Sequence, residues 1–316
     1  MKVSILILAY NHEKFIAQAV ESSLKQITNF NFEIVIGDDY SYDSTRKILM
    51  ELKSRYPDHI RLIFHNSNIG MLSNFASTLN ACRGEYIALL DGDDYWISKH
   101  KLLKQVNFLE THLDCAFCYH PTKIVGLDGN FLSEYPPKRY RKRLSDLIDI
   151  LKCNFISTSS TMFRRGLFGQ LPNWFFSLKM GDWSLHVLNS QHGRIGYLDE
   201  TMSAYRVHER SNWSKSETNL KIQNTVNAYV VFNEHLNYQY DRLIRAQIAL
   251  LHKDLQVAHF PEKKTQPTNI WTLYDSVACL TDKSFTASDK LHLFVKLYTP
   301  FYIIKFSRKF KPPQYV

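Results

Sequence analysis

The chain has 316 residues, 45% of them hydrophobic and 22% charged, which excludes a disordered chain over most of its length and leaves room for a sizeable core. A formal charge of +9 asks for an anionic partner: nucleic acid, acidic lipid or a phosphorylated small molecule.

Along the first part of the chain two periodicities alternate. Residues 3–9 form a near-continuous apolar run, the mark of a parallel strand covered on both faces. Asn11 then offers an N-cap to a helix whose stripe is Phe15, Ile16, Ala19, Val20 and Leu24. Residues 32–36 repeat the strand, and Asp43 or Ser44 caps a helix carrying Ile48, Leu49 and Leu52. A third strand spans 60–64, with a helix ending near Cys82. A fourth spans 85–90, and Leu102, Val106 and Leu109 mark the next helix. Such alternation predicts an α/β fold with an open, mostly parallel sheet and helices on both faces. Residues 115–119 read as a buried strand that contains Cys115 and Cys118. The basic run 138–143 reads as a solvated linker or as a contact for an anionic acceptor or lipid phosphate. Beyond Ser214 the pattern turns helical, so the expected division is 1–213, in halves 1–120 and 121–213, and a basic helical extension 214–316.

Ligands of open α/β sheets bind outside the carboxyl ends of the strands. There the chain places Tyr10 and Asn11, then Asp38 and Asp39, then residues 66–70, and then Asp91-Gly92-Asp93-Asp94. Asp and Asn also serve plain turns, but turns do not explain a carboxylate pair and a triplet at one edge. Clustered carboxylates repel unless a cation neutralises them. Hard oxygen donors in small number suit Mg²⁺ or Mn²⁺ bridging to substrate phosphates. Gly92 would let the backbone approach a ligand closely.

The strand ending Ala9-Tyr10-Asn11, the run from Asp38-Asp39 to Thr45, the triplet Asn68-Ile69-Gly70 and the segment from Gly84 to Asp94 follow one another at strand ends. In that order and spacing they resemble the inverting glycosyltransferases of family two, which have a GT-A fold, over roughly the first 120 residues. The resemblance implies a nucleotide-sugar donor bound with Mn²⁺ or Mg²⁺. Ala9, Tyr10, Asn11 and Glu13 would line the nucleotide, beside Asn68 and Gly70. Asp39 would accept a hydrogen bond from the uracil NH, favouring a UDP-sugar. Asp91 would hold ribose hydroxyls or a metal-bound water, Asp93 would ligate the metal, and Asp94 would face donor sugar or acceptor. Asp182, at a predicted helix N-terminus, reads either as an N-cap or, by the resemblance, as the general base. Gly181 stands where the family commonly has an acidic residue. His208 resembles a histidine that some relatives bring to the metal, and reads equally as a surface or core residue. Trp183 could stack on sugar or fill the core, and 155–162 resembles an acceptor-side strand.

The expected partners are a nucleotide-sugar and a glycan or lipid-linked glycan acceptor, in bacterial polysaccharide or lipopolysaccharide assembly as the resemblance implies. A non-catalytic sugar- or lipid-binding module and a nucleotidyltransferase are the rivals. Nucleic acid ranks last, because no zinc finger, helix-turn-helix or RNP pattern accompanies the charge. The five scattered cysteines form no disulfide framework and suit a reducing cytosol. No apolar run of about 18 residues or more occurs, and the first ten residues are too short for a signal sequence. A cytoplasmic protein is therefore expected. Basic and large apolar residues interleave over 290–311, which reads as a peripheral contact with the inner face of the plasma membrane, or as packing within the protein or across an oligomer.

Overall fold

The computed structural model describes residues 1–208 and 217–259; the tail segment 290–311 lies outside them. In chain order the strands and helices are β1 Val3–Ala9, α1 Ile16–Leu24, β2 Phe32–Asp38, α2 Thr45–Arg55, β3 Ile60–Phe64, α3 Met71–Ala81, β4 Tyr86–Asp91 and β5 Tyr95–Trp96. Next come α4 Lys101–Thr111, β6 Cys115–Tyr119, β7 Thr122–Val125, β8 Phe131–Tyr135, β9 Leu144–Ser145, α5 Leu147–Lys152 and β10 Met162–Arg164. The last are α6 Gly181–Ser190, β11 Arg194–Tyr197, β12 Ser203–Arg206, α7 Thr218–His235 and α8 Asp241–His259.

The chain divides into two compact units. The first comprises Met1–Ile150, Asn154–Ser177 and Gly181–Glu209. It is built on an eight-stranded sheet in the order β3-β2-β1-β4-β10-β6-β11-β9. β1 pairs in parallel with β2 and β4, and β2 with β3, whereas β10 runs antiparallel between β4 and β6. The four expected strands form for the reason their composition suggests. Val3, Ile5, Ile7, Ile34, Ile36, Ala88 and Leu90 are all buried in one core, to which Ile16, Ala19 and Val20 of α1, Leu49 and Leu52 of α2 and Leu102, Val106 and Leu109 of α4 contribute. That is the stripe spacing of helices laid on a sheet.

A second, four-stranded sheet in the order β5-β12-β7-β8 decides what reaches the candidate site. β12 pairs antiparallel with β5 through Ser203 and Trp96, and parallel with β7. Because β5 begins directly after the carboxylate tetrad, this pairing brings the chain beyond β12 back to it.

The second unit takes in Leu151–Cys153, Leu178–Met180 and the chain from Arg210. Its described part contains α7 and α8, and the Tyr229 hydroxyl donates to the Lys152 carbonyl at 3.3 Å. Among the described residues no helix is long and apolar enough to cross a membrane.

Candidate active site

The loops that follow β1, β2, β3 and β4 meet at one edge of the large sheet, and the first two are tied to each other. Asn11 has a left-handed backbone (φ 56°) and does not cap α1, which begins only at Ile16. Its N–H donates to Ser41 Oγ at 2.9 Å, and its Oδ1 accepts the Tyr42 N–H at 3.0 Å. The His12 N–H donates to Thr45 Oγ1 at 2.8 Å, and Glu13 accepts the Ser44 N–H at 3.1 Å. Ala9 lies within the sheet, where its carbonyl accepts the Asp39 N–H. Tyr10 remains 42% exposed, with its ring edge-on to Tyr42.

Asp38 and Asp39 diverge. Asp38 is buried and accepts from Arg46 Nε at 2.5 Å, so it serves the fold. The Asp39 carboxylate accepts the backbone N–H groups of Ile69 at 2.7 Å and Gly70 at 3.0 Å. It therefore shapes the next loop, in which Asn68 Nδ2 donates to the Asp39 carbonyl at 3.2 Å and Gly70 turns with φ 86° into α3.

In the tetrad the three carboxylates have separate environments. Asp91 is half-buried at the end of β4; its pKa is pushed up to about 7 by burial, then by the neighbouring charges of Asp93 and Asp182. For Asp93, burial works upward, but the His208 hydrogen bond and the charges of His12 and His208 prevail and hold its pKa below the usual carboxylate value. Its Oδ2 lies 2.9 Å from His208 Nε2 and 3.8 Å from His12 Nε2. Asp94 is fully buried; its Oδ1 accepts the Arg206 N–H at 3.0 Å, its Oδ2 is left without a protein partner, and burial with the charges of Asp93 and Asp91 raises its pKa. Asp94 thus ties the turn to β12 through one carboxylate oxygen.

The period-2 geometry of extended chain explains why Arg206 and His208 arrive together. The Val207 N–H still donates to Val125, continuing the β7 pairing. Arg206 donates to the Asp93 carbonyl at 2.5 Å, and its guanidinium lies on the rings of Phe15 and Tyr95. Gly92 sits hard against β1. A Cβ there would meet His12 Nδ1 at 2.6 Å and the Leu8 carbonyl at 2.8 Å, so its smallness lets the tetrad pack on β1.

Asp182 stands in the first turn of α6, half-buried, and accepts from Asn154 Nδ2 at 2.9 Å. Burial raises its pKa, against the opposing backbone N–H of Trp183, the Asn154 hydrogen bond and its own N–H. It is close enough to Asp91 to raise that group's pKa. A Cβ at Gly181 would lie 2.5 Å from Leu72 Cδ2, so glycine lets α6 start close against α3. Trp183 is core: it is buried and donates to the Ile150 carbonyl at 2.9 Å. Residues 155–162 are not a continuous strand either. Thr158–Ser160 form a 3₁₀ turn before β10, and Ser159, Ser160 and Thr161 are buried.

His12, Arg206, Asn154 and His186 were not singled out in the sequence. Only His12 had a signal, its position three residues past the end of a parallel strand. Among the described residues no three His, Cys, Asp or Glu side chains form a ready cluster for a metal. The pair Asp93 Oδ2 and His208 Nε2, 2.9 Å apart, nevertheless fits two adjacent vertices of an octahedral ion. Ligands about 2.1 Å from such an ion lie about 3.0 Å from one another.

An uncharacterized protein of Mycobacterium tuberculosis is 40% identical over 218 residues, which cover 68% of this chain and 62% of that one. This chain therefore spans less than two thirds of that relative's length. The UDP-Glc:alpha-D-GlcNAc-diphosphoundecaprenol beta-1,3-glucosyltransferase WfaP of Escherichia coli is 41% identical over 109 residues, 34% of this chain and 41% of that one. Among solved structures, S. aureus TarS 1-349 in complex with UDP-GlcNAc superimposes with a TM-score of 0.55 at 18% identity, covering 94% of this chain and 82% of that one, which shows the GT-A-like fold. The sequence model described as glycosyl transferase family 2 matches residues 4–171. That span holds β1 to β4 and the tetrad and stops short of Asp182 and His208. More than half of the chain lies within it, and the chain belongs to glycosyl transferase family 2, a family of glycosyltransferase enzymes.

Proposed function

We propose that this chain transfers a sugar, with inversion, from a UDP-sugar to a hydroxyl acceptor, in a divalent-metal-dependent reaction of cell-surface glycan assembly. The observation that supports it most is the meeting of Asp93 and His208 at the strand end, next to Asp91, whose pKa the charge of Asp182 helps to raise. Asp93 and His208 would hold Mn²⁺ or Mg²⁺, and a nitrogen ligand favours Mn²⁺. Bound there, the ion supplies Lewis-acid stabilisation of the charge that grows on the departing diphosphate. The loops of Tyr10, Asn11 and Asn68–Gly70 would line the nucleotide, with Asp39 holding the last of these in shape. Asp91, half-buried at the end of β4, would hold the ribose hydroxyls or a metal-bound water.

Asp182 takes the proton of the acceptor hydroxyl as that oxygen attacks the anomeric carbon, and its raised pKa makes it a stronger base than an ordinary carboxylate. The UDP-glucose donor and diphosphoundecaprenol-linked acceptor in the name of WfaP and the UDP-GlcNAc bound to TarS favour a UDP-sugar and a lipid-linked glycan.

Binding of a panel of UDP-, GDP- and dTDP-sugars, followed by UDP release, tests the donor class. Asp182→Asn is expected to lower transfer by about 10²–10⁴-fold while UDP still binds; full activity removes Asp182 from the mechanism. In titration calorimetry, Asp93→Ala should lose the gain in UDP affinity that Mn²⁺ confers. An unchanged gain rejects Asp93 as a ligand.

A further inference from the structure

Behind Asp182 lies a buried polar chain that the reaction does not account for. Asn154 follows α5, and its carbonyl accepts the Tyr135 hydroxyl. Its side chain bridges two groups of α6: Nδ2 to Asp182 Oδ2 at 2.9 Å, and Oδ1 to His186 Nδ1 at 3.2 Å. His186 is fully buried, its ring stacks on Phe117 with an interplanar angle of 5°, and its Nε2 lies 3.2 Å from Thr161 Oγ1.

The donor and acceptor roles along this chain follow from chemistry. An ionised carboxylate only accepts, so the amide must turn its NH₂ to Asp182 and its oxygen to His186. His186 must then carry its hydrogen on Nδ1, which leaves Nε2 an acceptor; the Thr161 hydroxyl lies 3.2 Å from it and 3.2 Å from the Ser157 carbonyl, and its single hydrogen serves one or the other. Burial keeps the imidazole neutral, with its pKa lowered to about 3, so the tautomer persists across the working pH range. Flipping the amide would set oxygen against carboxylate and N–H against N–H.

We propose that Asn154 is a positioning residue for Asp182, locked in one orientation by His186, so that the carboxylate is held ionised and aimed toward the acceptor. This rests on the reading of Asp182 as the base. Asp91 at the end of β4 is near enough to feel the charge of Asp182, and His186 on the same helix is joined to Asp182 through Asn154. Three hydrogen bonds favour its charged form, from the Trp183 backbone N–H, the Asn154 side chain and its own backbone N–H, and Asn154 is the side-chain donor among them.

The test is a pH titration of the Asp182 carboxyl by carbon-13 NMR of aspartate-labelled full-length protein, the signal being assigned by its loss in Asp182→Asn. Removing the donor in Asn154→Ala is expected to raise the midpoint by about 0.5–1 pH unit. Asn154→Asp, which sets a second carboxyl beside it, should raise it further. His186→Phe keeps the ring stack on Phe117 and removes both nitrogens; it should raise the midpoint by less than Asn154→Ala. UDP calorimetry and near-ultraviolet circular dichroism identify which variants fold, and a merely structural role would lower their stability without moving the midpoint. An unmoved midpoint in any folded variant overturns the proposal. Failure of the underlying reading looks different, because Asp182→Asn would then retain hydrolysis of UDP-GlcNAc or UDP-glucose whatever the titration shows.

Discussion

At Gly92 a single methyl group would have nowhere to go. The Leu8 carbonyl is backbone of the central strand and cannot move aside, and His12 Nδ1 would lie 2.6 Å away. Gly92→Ala should therefore lower the unfolding free energy by about 1–3 kcal/mol, as overpacking does, measured by urea denaturation; an unchanged midpoint would mean that β1 and the tetrad slide apart freely. The residue types of this site were legible in the sequence, because paired acids at strand ends are rare outside ligand sites. Their individual roles were not. Asp91, Asp93 and Asp94 are near-neighbours in sequence, yet one stays half-buried, one meets two imidazoles and one turns inward to β12, and that sorting depends on a strand more than 100 residues downstream. Asn154 had no signal at all, since an isolated asparagine after a helix is an ordinary turn residue.

Helices and strands tell a similar story. β1 to β4 were readable because strands covered on both faces must be apolar throughout. β5, β9 and β10, of two or three residues, are too short to show a period and exist through their neighbours. In α4, Lys101 breaks the rule that buried positions are apolar: its side-chain nitrogen is fully buried over the Trp96 ring at 4.1 Å and donates to Gln105 Oε1 at 2.6 Å. Burial lowers its pKa from 10.5 to about 7. The unfolded chain thus binds a proton that the folded one has released, and stability rises with pH between those values. Compared with Lys101→Met, the wild type should gain up to about 4 kcal/mol on going from pH 7 to 10. Parallel stability curves for the two would show that Lys101 keeps its charge in the core.

For the molecule as a whole, a charge of +9 bears on approach as much as on binding. UDP affinity should fall several-fold between about 50 and about 500 mM salt as the field is screened, and a flat calorimetric series would place the binding energy wholly in short contacts. Peripheral membrane contact through 290–311 remains a proposal of the sequence pattern. Flotation with anionic liposomes should retain the full chain and release one that lacks 285–316; equal flotation of both assigns any binding to another surface. The knot between the first two loops has its own consequence. Asn11, His12 and Glu13 are laced to Ser41, Tyr42, Ser44 and Thr45 before any ligand arrives. A nucleotide landing there meets backbone whose disorder was already surrendered during folding, so its capture should leave amide hydrogen exchange in 10–15 and 41–45 almost as slow as it found it.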